Sequence, residues 1–327
     1  MIFKRFIVSP SVTLFAIPMG LIGLGLNGLH YAHFLNWSDF LPKAILIYGF
    51  ALLFIVAVPY FWQITQEVLR QKSTSGSSLL LQEWQHPFQI SLFPSITLTF
   101  MLFFLALWQL QWWRGWLFWG YLITLILHSG LFLVMINRWI FDIQIELTHL
   151  KPTWFILLSG NFVAVISGLS LLPSSWHELL WFYLSASLLI WLVLVFSLFY
   201  QLIFIQQMPS KMRPTLFIFL APPSLGTVAS LLIFPNEQPS LMAWFFYSFA
   251  TLMLLIWLFA IAHFRKSELS ITSWAYVYPL AAYGLAGQYM AESLQASIVW
   301  AWSGAIFLIA LALVILLSVH SHPYKAS

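Results

Sequence analysis

Histidine is the side chain in this sequence best suited to metal binding or proton transfer, and nine are present. Eight of them lie at the ends of apolar stretches, in connections or in the C-terminal tail, and only His128 lies inside an apolar stretch. A haem or a catalytic metal within a membrane needs at least two ligands at a similar depth. The sequence therefore favours a packing role for His128, with a ligand role as the alternative, and we expect the tail residues His320 and His322 to be solvated.

The other groups that enzymes commonly use are missing from the sequence. It contains no cysteine, and it shows no Gly-rich phosphate loop, no nucleophile elbow and no pair of carboxylates suited to catalysis. We therefore predict that the chain is not an enzyme and that it holds no metal and no cofactor. A membrane enzyme or a haem protein stays open as an alternative from a different class.

A proline and a bulky aromatic ring stand side by side in the apolar segment 273–284, SWAYVYPLAAYG. Pro279 lacks a backbone donor and crowds the carbonyl four residues earlier, which predicts a bend in a membrane helix where Tyr278 lies. A bent helix that presents a ring is a candidate gate for a permeation path. The alternative is a tolerated membrane proline beside a packing tyrosine.

The composition determines the broad class of the protein. With 61% hydrophobic residues, 7% charged residues and a mean hydropathy of +0.91, the chain cannot form a soluble globule with a polar surface. Its net charge is +4, but the basic residues lie singly or in pairs at the ends of apolar runs. They are therefore topology signals, and we predict a polytopic membrane protein without a nucleic-acid partner. The apolar run after Lys4 and Arg5 is read as a first span and not as a signal peptide.

Ten apolar stretches are long enough to cross a hydrocarbon core of ~30 Å. They predict one membrane domain over 1–327, with helices at about 11–35, 41–64, 88–108, 115–137, 153–172, 178–205, 214–234, 239–262, 271–291 and 295–319. Eleven of the thirteen basic residues fall on one side of these spans: Lys4, Arg5, Arg70, Lys72, Arg138, Lys151, Lys211, Arg213, Arg265, Lys266 and Lys325. By the positive-inside rule both termini are cytoplasmic, and the short outer connections predict five helical hairpins.

Residues that break helices are concentrated in the odd-numbered spans. Those that we expect to bend these helices and line a path are Pro18, Gly20, Pro94, Gly160, Pro222 and Pro279. The even-numbered spans are smoother, and Pro59 is the one proline beyond their first two residues. Irregular backbone at membrane depth is tolerated where protein or a water-filled path satisfies it, which predicts that the odd-numbered spans are central. Close helix packing through small residues is the alternative.

The interiors of the predicted spans contain no Asp, Glu, Lys or Arg. This argues against a proton-coupled pump, a voltage sensor and a cation pore with acidic rings. A path through these spans would be lined by apolar and weakly polar groups, with Ser95, Asn161 and Ser224 as polar candidates. Freed backbone amides and helix ends would attract anions there without binding them tightly.

Five short segments, one in each odd-numbered span, together form a pattern: AIPMG at 16–20, FP at 93–94, GNF at 160–162, LAP at 220–222 and WAYVYP at 274–279. In this pattern the chain resembles, over essentially its whole length, the tellurite-resistance/dicarboxylate transporter family, which includes the bacterial TehA proteins and the plant guard-cell slow anion channels. The resemblance implies an all-α membrane fold of ten helices, arranged as five hairpins with quasi-fivefold symmetry. It also implies a homotrimer in which the odd-numbered helices of each protomer line a central pore.

The resemblance further implies that an aromatic ring on the ninth helix occludes the pore. The matching residue is Tyr278, where the family typically has phenylalanine. We expect its hydroxyl either to bond a backbone carbonyl freed at a neighbouring kink, and so hold the gate shut, or to donate to a passing anion.

The expected function is a gated channel for small inorganic anions in the lipid of a bacterial inner (plasma) membrane. Without a fixed cation in the pore, selectivity should be weak, and nitrate should pass at least as readily as chloride. The alternative is a secondary transporter or exporter of dicarboxylate, sulfite or tellurite-type oxyanions. Five hairpins with the same direction favour the channel, because alternating access usually comes with inverted repeats.

Overall fold

The computed structural model describes residues 10–69, 78–142, 145–235, 238–265 and 269–320, and within them the regular structure is helical, without strands. Ten long elements follow one another: α1 Val12–Leu35, α2 Phe40–Leu69, α3 Ile90–Gln109, α4 Arg114–Phe141, α5 Pro152–Leu171, α6 Ser174–Ile205, α7 Ser210–Ile233, α8 Leu241–Phe259, α9 271–294 and α10 Ser297–His320. A short helix, Leu79–Gln85, lies between α2 and α3, and another, Ile261–Arg265, follows α8.

In the described part of the chain, nine of these helices are long and apolar enough to cross a membrane, and α9 is not among the nine. Tyrosine, glycine, glutamine and glutamate in α9 lower its hydropathy. Nine of the ten predicted spans thus coincide with such a helix, and the predicted span 271–291 corresponds to α9. Helices α2 and α4 continue to Leu69 and Phe141, several residues beyond their predicted ends.

Six of the basic residues that predict the orientation are not described by the structure. Lys4, Arg5, Arg70, Lys72, Lys266 and Lys325 lie outside the described residues, and so does His322. The cytoplasmic placement of both termini therefore stays a prediction.

The odd-numbered helices contact one another in a closed cycle. Helix α1 packs on α3, α3 on α5, α5 on α7, α7 on α9, and α9 returns to α1. Each even-numbered helix packs on the odd-numbered helix that precedes it. In the most apolar window of each helix, 72–89% of the residues of α1, α3, α5 and α7 are buried, against 28–50% in the even-numbered helices. Burial therefore alternates along the chain in step with the helix-breaking residues.

Each odd-numbered helix begins as a 3₁₀ segment and continues as an α-helix. These segments are Val12–Phe15, Ile90–Leu92, Pro152–Trp154, Ser210–Leu220 and Ile271–Tyr276. The prolines stand in the first turn of the α-helical part: Pro94 is its first residue, Pro222 its second, and Pro18 and Pro279 are its third. Because first-turn N–H groups have no α-helical partner, proline removes no α-helical bond there. The expected bends are thus changes from 3₁₀ to α-helix.

Tight turns join the odd-numbered helices to the even-numbered helices that follow them. The residues directly after α1 and α9 are Asn36 and Gln295, which adopt left-handed conformations with φ of 52° and 51°. A single left-handed residue reverses the chain at a helix end, so α2 and α10 begin within a few residues and return alongside their partners.

Candidate functional site

A cavity of about 80 Å³ lies among the first parts of the five odd-numbered helices. Every one of these helices contributes to its wall. The lining residues are Thr13, Ala16 and Met19 of α1, Phe88 and Leu92 before and in α3, Thr153, Ile156 and Ser159 of α5, Thr215, Ile218 and Ala221 of α7, and Ile271, Thr272, Ala275, Tyr278 and Pro279 of α9. None of these side chains carries a charge, so the wall is apolar with interspersed hydroxyl groups.

Four threonines line one end of the cavity. On α1, α5 and α7 a threonine is the first residue of the helix in the wall, and on α9 a threonine is the second. We name Thr13, Thr153, Thr215 and Thr272 the threonine tier. Thr215 donates to the Met212 carbonyl at 2.6 Å, and Thr272 donates to the Lys211 carbonyl at 3.1 Å. Thr13 donates to Ser11 Oγ at 3.2 Å, and the Thr153 hydroxyl shares a 2.5 Å bond with Ser91. These hydroxyls already have partners, so the tier offers few free donors to a ligand in the cavity.

From the threonine tier, the lining residues of these four helices recur every three positions. Thr153 is followed by Ile156 and Ser159, Thr215 by Ile218 and Ala221, and Thr272 by Ala275 and Tyr278. This is the period of a 3₁₀-helix, in which side chains three residues apart eclipse one another. On α7 the pair Thr215 and Ile218, and on α9 the pair Thr272 and Ala275, lie inside the 3₁₀ segments and are aligned by them, whereas on α1 and α5 the spacing continues into the α-helical part.

Tyr278 ends the series on α9 and packs against α1. Its side chain is 4% exposed. A Cβ atom placed on Gly23 would lie 2.9 Å from Cδ2 and 3.2 Å from Cε2 of the ring, so the absence of a side chain at Gly23 makes room for it. The hydroxyl is buried and has no hydrogen-bond partner among the described residues. The expected bond to a freed carbonyl is therefore absent, and donation to an anion stays a prediction.

The remaining residues predicted to bend helices lie in several places. Pro279 lines the cavity beside Tyr278, whereas Pro18, Pro94 and Pro222 are not part of its wall. Gly20 lies in the contact of α1 with α9, where a Cβ atom would be 3.1 Å from Val277 Cβ. The structure thus brings Tyr278 and Pro279 together at the cavity, and the other residues predicted to bend helices lie outside its wall.

The three polar candidates also lie outside this cavity wall. Ser95 donates to the Leu92 carbonyl at 2.6 Å, and Ser224 donates to the Leu220 carbonyl at 2.8 Å. Asn161 Oδ1 lies 3.1 Å from His128 Nε2, while its Nδ2 has no partner among the described residues. Two of the three hydroxyl or amide groups are therefore used within their own helices.

His128 is fully buried and joins α4 to the inner helices. Its Nδ1 lies 2.8 Å from Thr97 Oγ1 of α3, and its Nε2 bonds Asn161 of α5. The ring occupies the space that a side chain at Gly160 would need. Both ring nitrogens thus have protein partners, as the packing interpretation of His128 predicts, and Gly160 is accounted for by this contact.

The electrostatics around the cavity are those of helix ends. The first residues of all five odd-numbered helices surround it, and helix N-termini carry partial positive charge on unpaired N–H groups. Within the described ranges, no three His, Asp or Glu side chains are placed to hold a metal ion. The arrangement suits weak attraction of an anion.

Sequence reasoning overlooked the threonine tier, although the sequence contains a signal for it. Each of the four threonines stands seven residues before a predicted helix breaker: Gly20, Gly160, Pro222 and Pro279. The same spacing on α3 gives Pro87 before Pro94, and it is the neighbouring Phe88 that lines the cavity. A search for residues at a fixed distance from the breakers would have found the tier.

Comparison with known proteins gave two findings. Residues 10–322 match the model of a family described as voltage-dependent anion channel, SLAC1. Two proteins of Methanocaldococcus jannaschii, each named an uncharacterized transporter, are similar to the chain. One is 27% identical over 292 residues, which is 82% of this chain and 80% of the relative. The other is 26% identical over 294 residues, which is 82% of this chain and 81% of the relative.

Proposed function

The chain belongs to the voltage-dependent anion channel family, and on this premise we propose that it is a gated channel for small monovalent anions, chloride and nitrate among them. The observation that carries the proposal is the cavity that all five odd-numbered helices line and that includes the buried ring of Tyr278. In this proposal Tyr278 is the gate and the cavity is the vestibule that leads to it.

The gate closes by bulk. The Tyr278 ring lies on Gly23 and fills the space between α9 and α1, and opening requires it to leave this contact. Its hydroxyl is buried and has no hydrogen-bond partner among the described residues, so an anion that reaches the gate accepts a hydrogen bond from it. The bond replaces part of the hydration that the ion loses there.

Selectivity follows from the lining of the vestibule. The wall holds no fixed positive charge, and the hydroxyls of the threonine tier are already bonded. An anion must therefore shed water with little compensation, which favours weakly hydrated ions. We expect nitrate to pass at least as readily as chloride.

The proposal includes an architecture. Ten helices span the membrane as five hairpins in quasi-fivefold arrangement, with α9 as the tenth span beside the nine more apolar ones. The closed cycle of contacts among the odd-numbered helices supports this arrangement. The exposed even-numbered helices face lipid or the other protomers of a homotrimer, both termini are cytoplasmic, and the membrane is a bacterial inner membrane.

A carrier is the second candidate, because both relatives are named transporters. A secondary transporter or exporter of dicarboxylate, sulfite or tellurite-type oxyanions would bind its substrate in the same vestibule. It would show saturable uptake, whereas a channel gives a current that follows the electrochemical gradient.

The test is anion current under voltage clamp, in oocytes or planar bilayers, with chloride or nitrate as the permeating ion. Wild type is compared with Tyr278→Ala, Tyr278→Phe and the matched control Tyr276→Ala. Tyr276 lies two residues earlier on α9, and its ring packs on Phe217 with centroids 4.8 Å apart, outside the cavity wall.

We expect Tyr278→Ala to conduct far more than wild type, and Tyr276→Ala and Tyr278→Phe to conduct about as little as wild type. A well-expressed Tyr278→Ala protein with no more current than wild type would refute the gate. Silence in all variants, together with saturable uptake of labelled sulfite or dicarboxylate, would favour the carrier. Reversal potentials that rank chloride well above nitrate would contradict selectivity by dehydration.

A further inference from the structure

A chain of polar side chains connects α1 to α9 on the far side of Tyr278 from the cavity. Asn27 Nδ2 donates to the Ala281 carbonyl at 2.7 Å, and Gln288 Nε2 donates to Asn27 Oδ1 at 2.5 Å. His30 Nδ1 lies 2.9 Å from Gln288 Oε1, and His30 Nε2 lies 3.6 Å from Glu292 Oε1. We name Asn27, Gln288, His30 and Glu292 the α1–α9 relay.

The direction of every bond in the relay is determined from its inner end. The Ala281 carbonyl only accepts, so Asn27 presents its amide nitrogen there and its oxygen to Gln288. Gln288 then presents its own oxygen to His30, and His30 Nδ1 must carry a hydrogen. The remaining ring nitrogen, Nε2, faces the Glu292 carboxylate. A neutral ring directs a lone pair at that carboxylate, and a protonated ring directs a donor at it.

The relay is buried at its inner end and partly exposed to solvent at its outer end. Asn27 and Gln288 are fully buried, while the side chains of His30 and Glu292 are 22% and 35% exposed. A proton from water can therefore reach His30, and the two amides cannot exchange their partners for water. By the predicted orientation this is the outer side of the membrane.

The groups that face His30 are few. On α9 they are Glu292, Gln288 and Tyr289, whose ring stacks on the imidazole with centroids 4.4 Å apart. On α1 itself, His33 follows one turn later. At the beginning of α2, Lys43 and Asp39 pair with one another at 2.6 Å. Glu292 is thus the carboxylate with which a protonated His30 would form an ion pair.

The relay adjoins the proposed gate on both helices. Ala281, which accepts its innermost bond, lies one turn after Tyr278, and Asn27 lies one turn after Gly23, on which the Tyr278 ring packs. Gly284 leaves space for the relay, because a Cβ atom there would lie 2.6 Å from Asn27 Nδ2. A change in the spacing of α1 and α9 at the relay is therefore a change at the gate.

We propose that His30 is a proton-binding site that regulates the gate. A proton from the outer side binds Nε2, adds a charge-assisted bond to Glu292 and draws α9 against α1, which holds Tyr278 on Gly23 and keeps the pore closed. Loss of that proton at higher outer pH loosens the contact and favours opening. This inference rests on the proposed function, and it assigns positioning roles to Asn27 and Gln288.

The first experiment does not depend on conduction. The ¹⁵N NMR signals of the imidazoles are followed between about pH 4 and 8, a range that extends well below the ordinary histidine pKa, and His30 is assigned by comparison with His30→Gln. We expect a neutral ring with hydrogen on Nδ1, which gains its second proton at Nε2, and a loss of that second proton at lower pH in Glu292→Gln. A neutral ring with hydrogen on Nε2, or a ring that does not titrate, would overturn the proposal.

The second experiment measures anion current while the pH of each side is changed separately. We expect the wild-type current to rise roughly tenfold as the outer pH goes from about 4 to about 8, because one charge-assisted hydrogen bond is worth that factor. His30→Gln keeps a donor for Gln288 but does not titrate, so its current should not respond. His33→Gln is the matched control and should respond like wild type.

The outcomes separate the two proposals. Tyr278→Ala has no ring to hold and should conduct equally at both pH values. A conducting wild type whose response survives in His30→Gln, or disappears in His33→Gln, would overturn the role of His30 and leave the channel standing. Silence in wild type and in Tyr278→Ala would refute the channel, and the NMR result would then decide alone whether His30 binds a proton as proposed.

Discussion

Gly23→Ala should introduce a steric clash between α1 and the ring of Tyr278. The added Cβ atom would lie 2.9 Å from Cδ2 and 3.2 Å from Cε2 of the ring, where ordinary van der Waals contact begins at 3.4 Å. The ring must therefore move by a few tenths of an ångström, or α1 and α9 must separate by a similar amount. The Ala281 Cβ atom, at 3.9 Å, would be in ordinary contact with the new methyl group.

Two opposing effects give the magnitude. Overpacking a well-filled contact costs about 1–3 kcal/mol. Alanine in the middle of a helix is better than glycine by about 0.5–1 kcal/mol. Gly23→Ala alone should therefore lower stability by roughly 1–2 kcal/mol. In the Tyr278→Ala background the ring is gone, and the same substitution should be neutral or stabilising.

The assay is a double-mutant cycle read by thermal unfolding in detergent, with the 18 tryptophans as the intrinsic fluorescent reporter. We expect Gly23→Ala to lower Tm by a few degrees in the wild-type background and to leave it unchanged or raised in Tyr278→Ala. Equal shifts in both backgrounds would refute the packing of the ring on Gly23, whatever the conductance of either protein.

Three further predictions concern stability and use the same Tm assay. Glu83→Ala should destabilise by about 2–5 kcal/mol, because the 2% exposed carboxylate accepts bonds from Ser11 Oγ, Val12 N and Tyr60 Oη at 2.7–2.9 Å that would lose their acceptor. The exposed Glu178→Ala is the control, and equal Tm values for the two would contradict this. Gly160→Ala should destabilise by about 1–3 kcal/mol through overlap with the His128 ring. Gly130→Ala, where nothing lies within 4 Å of the new atom, should be neutral or stabilising; the reverse order would disprove the account of Gly160.

The positions of the helices followed from hydropathy because a membrane span needs a long apolar run. Even α9, with its lower hydropathy, was found from the length of its run. The burial of the odd-numbered helices followed from their helix breakers, since irregular backbone is rarely left facing lipid. The form of the irregularity did not follow. The sequence around a proline does not show whether the proline bends the middle of a helix or stands in the first turn after a 3₁₀ segment. Only the hydrogen-bond pattern of the structure distinguishes the two.

The site was harder to predict than the fold. Tyr278 and Pro279 were identifiable because they interrupt a helical pattern, and both line the cavity. Ser95, Asn161 and Ser224 were chosen for polarity alone, and which face of a helix such residues occupy depends on packing that the sequence does not state. The α1–α9 relay was missed because Asn27 and Gln288 are far apart in sequence and each is unremarkable alone.

In the proposed channel, the spacing of the lining residues in the 3₁₀ segments of α7 and α9 would set the length of the step that an ion takes. A 3₁₀-helix rises ~2 Å per residue, so successive lining residues of α7 and α9 stand about 6 Å apart along the axis. An ion that moved along α9 from Thr272 to Tyr278 would pass Ala275 between them. In an α-helix the wall would turn as it rises and each level would present a different azimuth. In the proposed channel, these levels would be the places where an anion rests before it meets the gate.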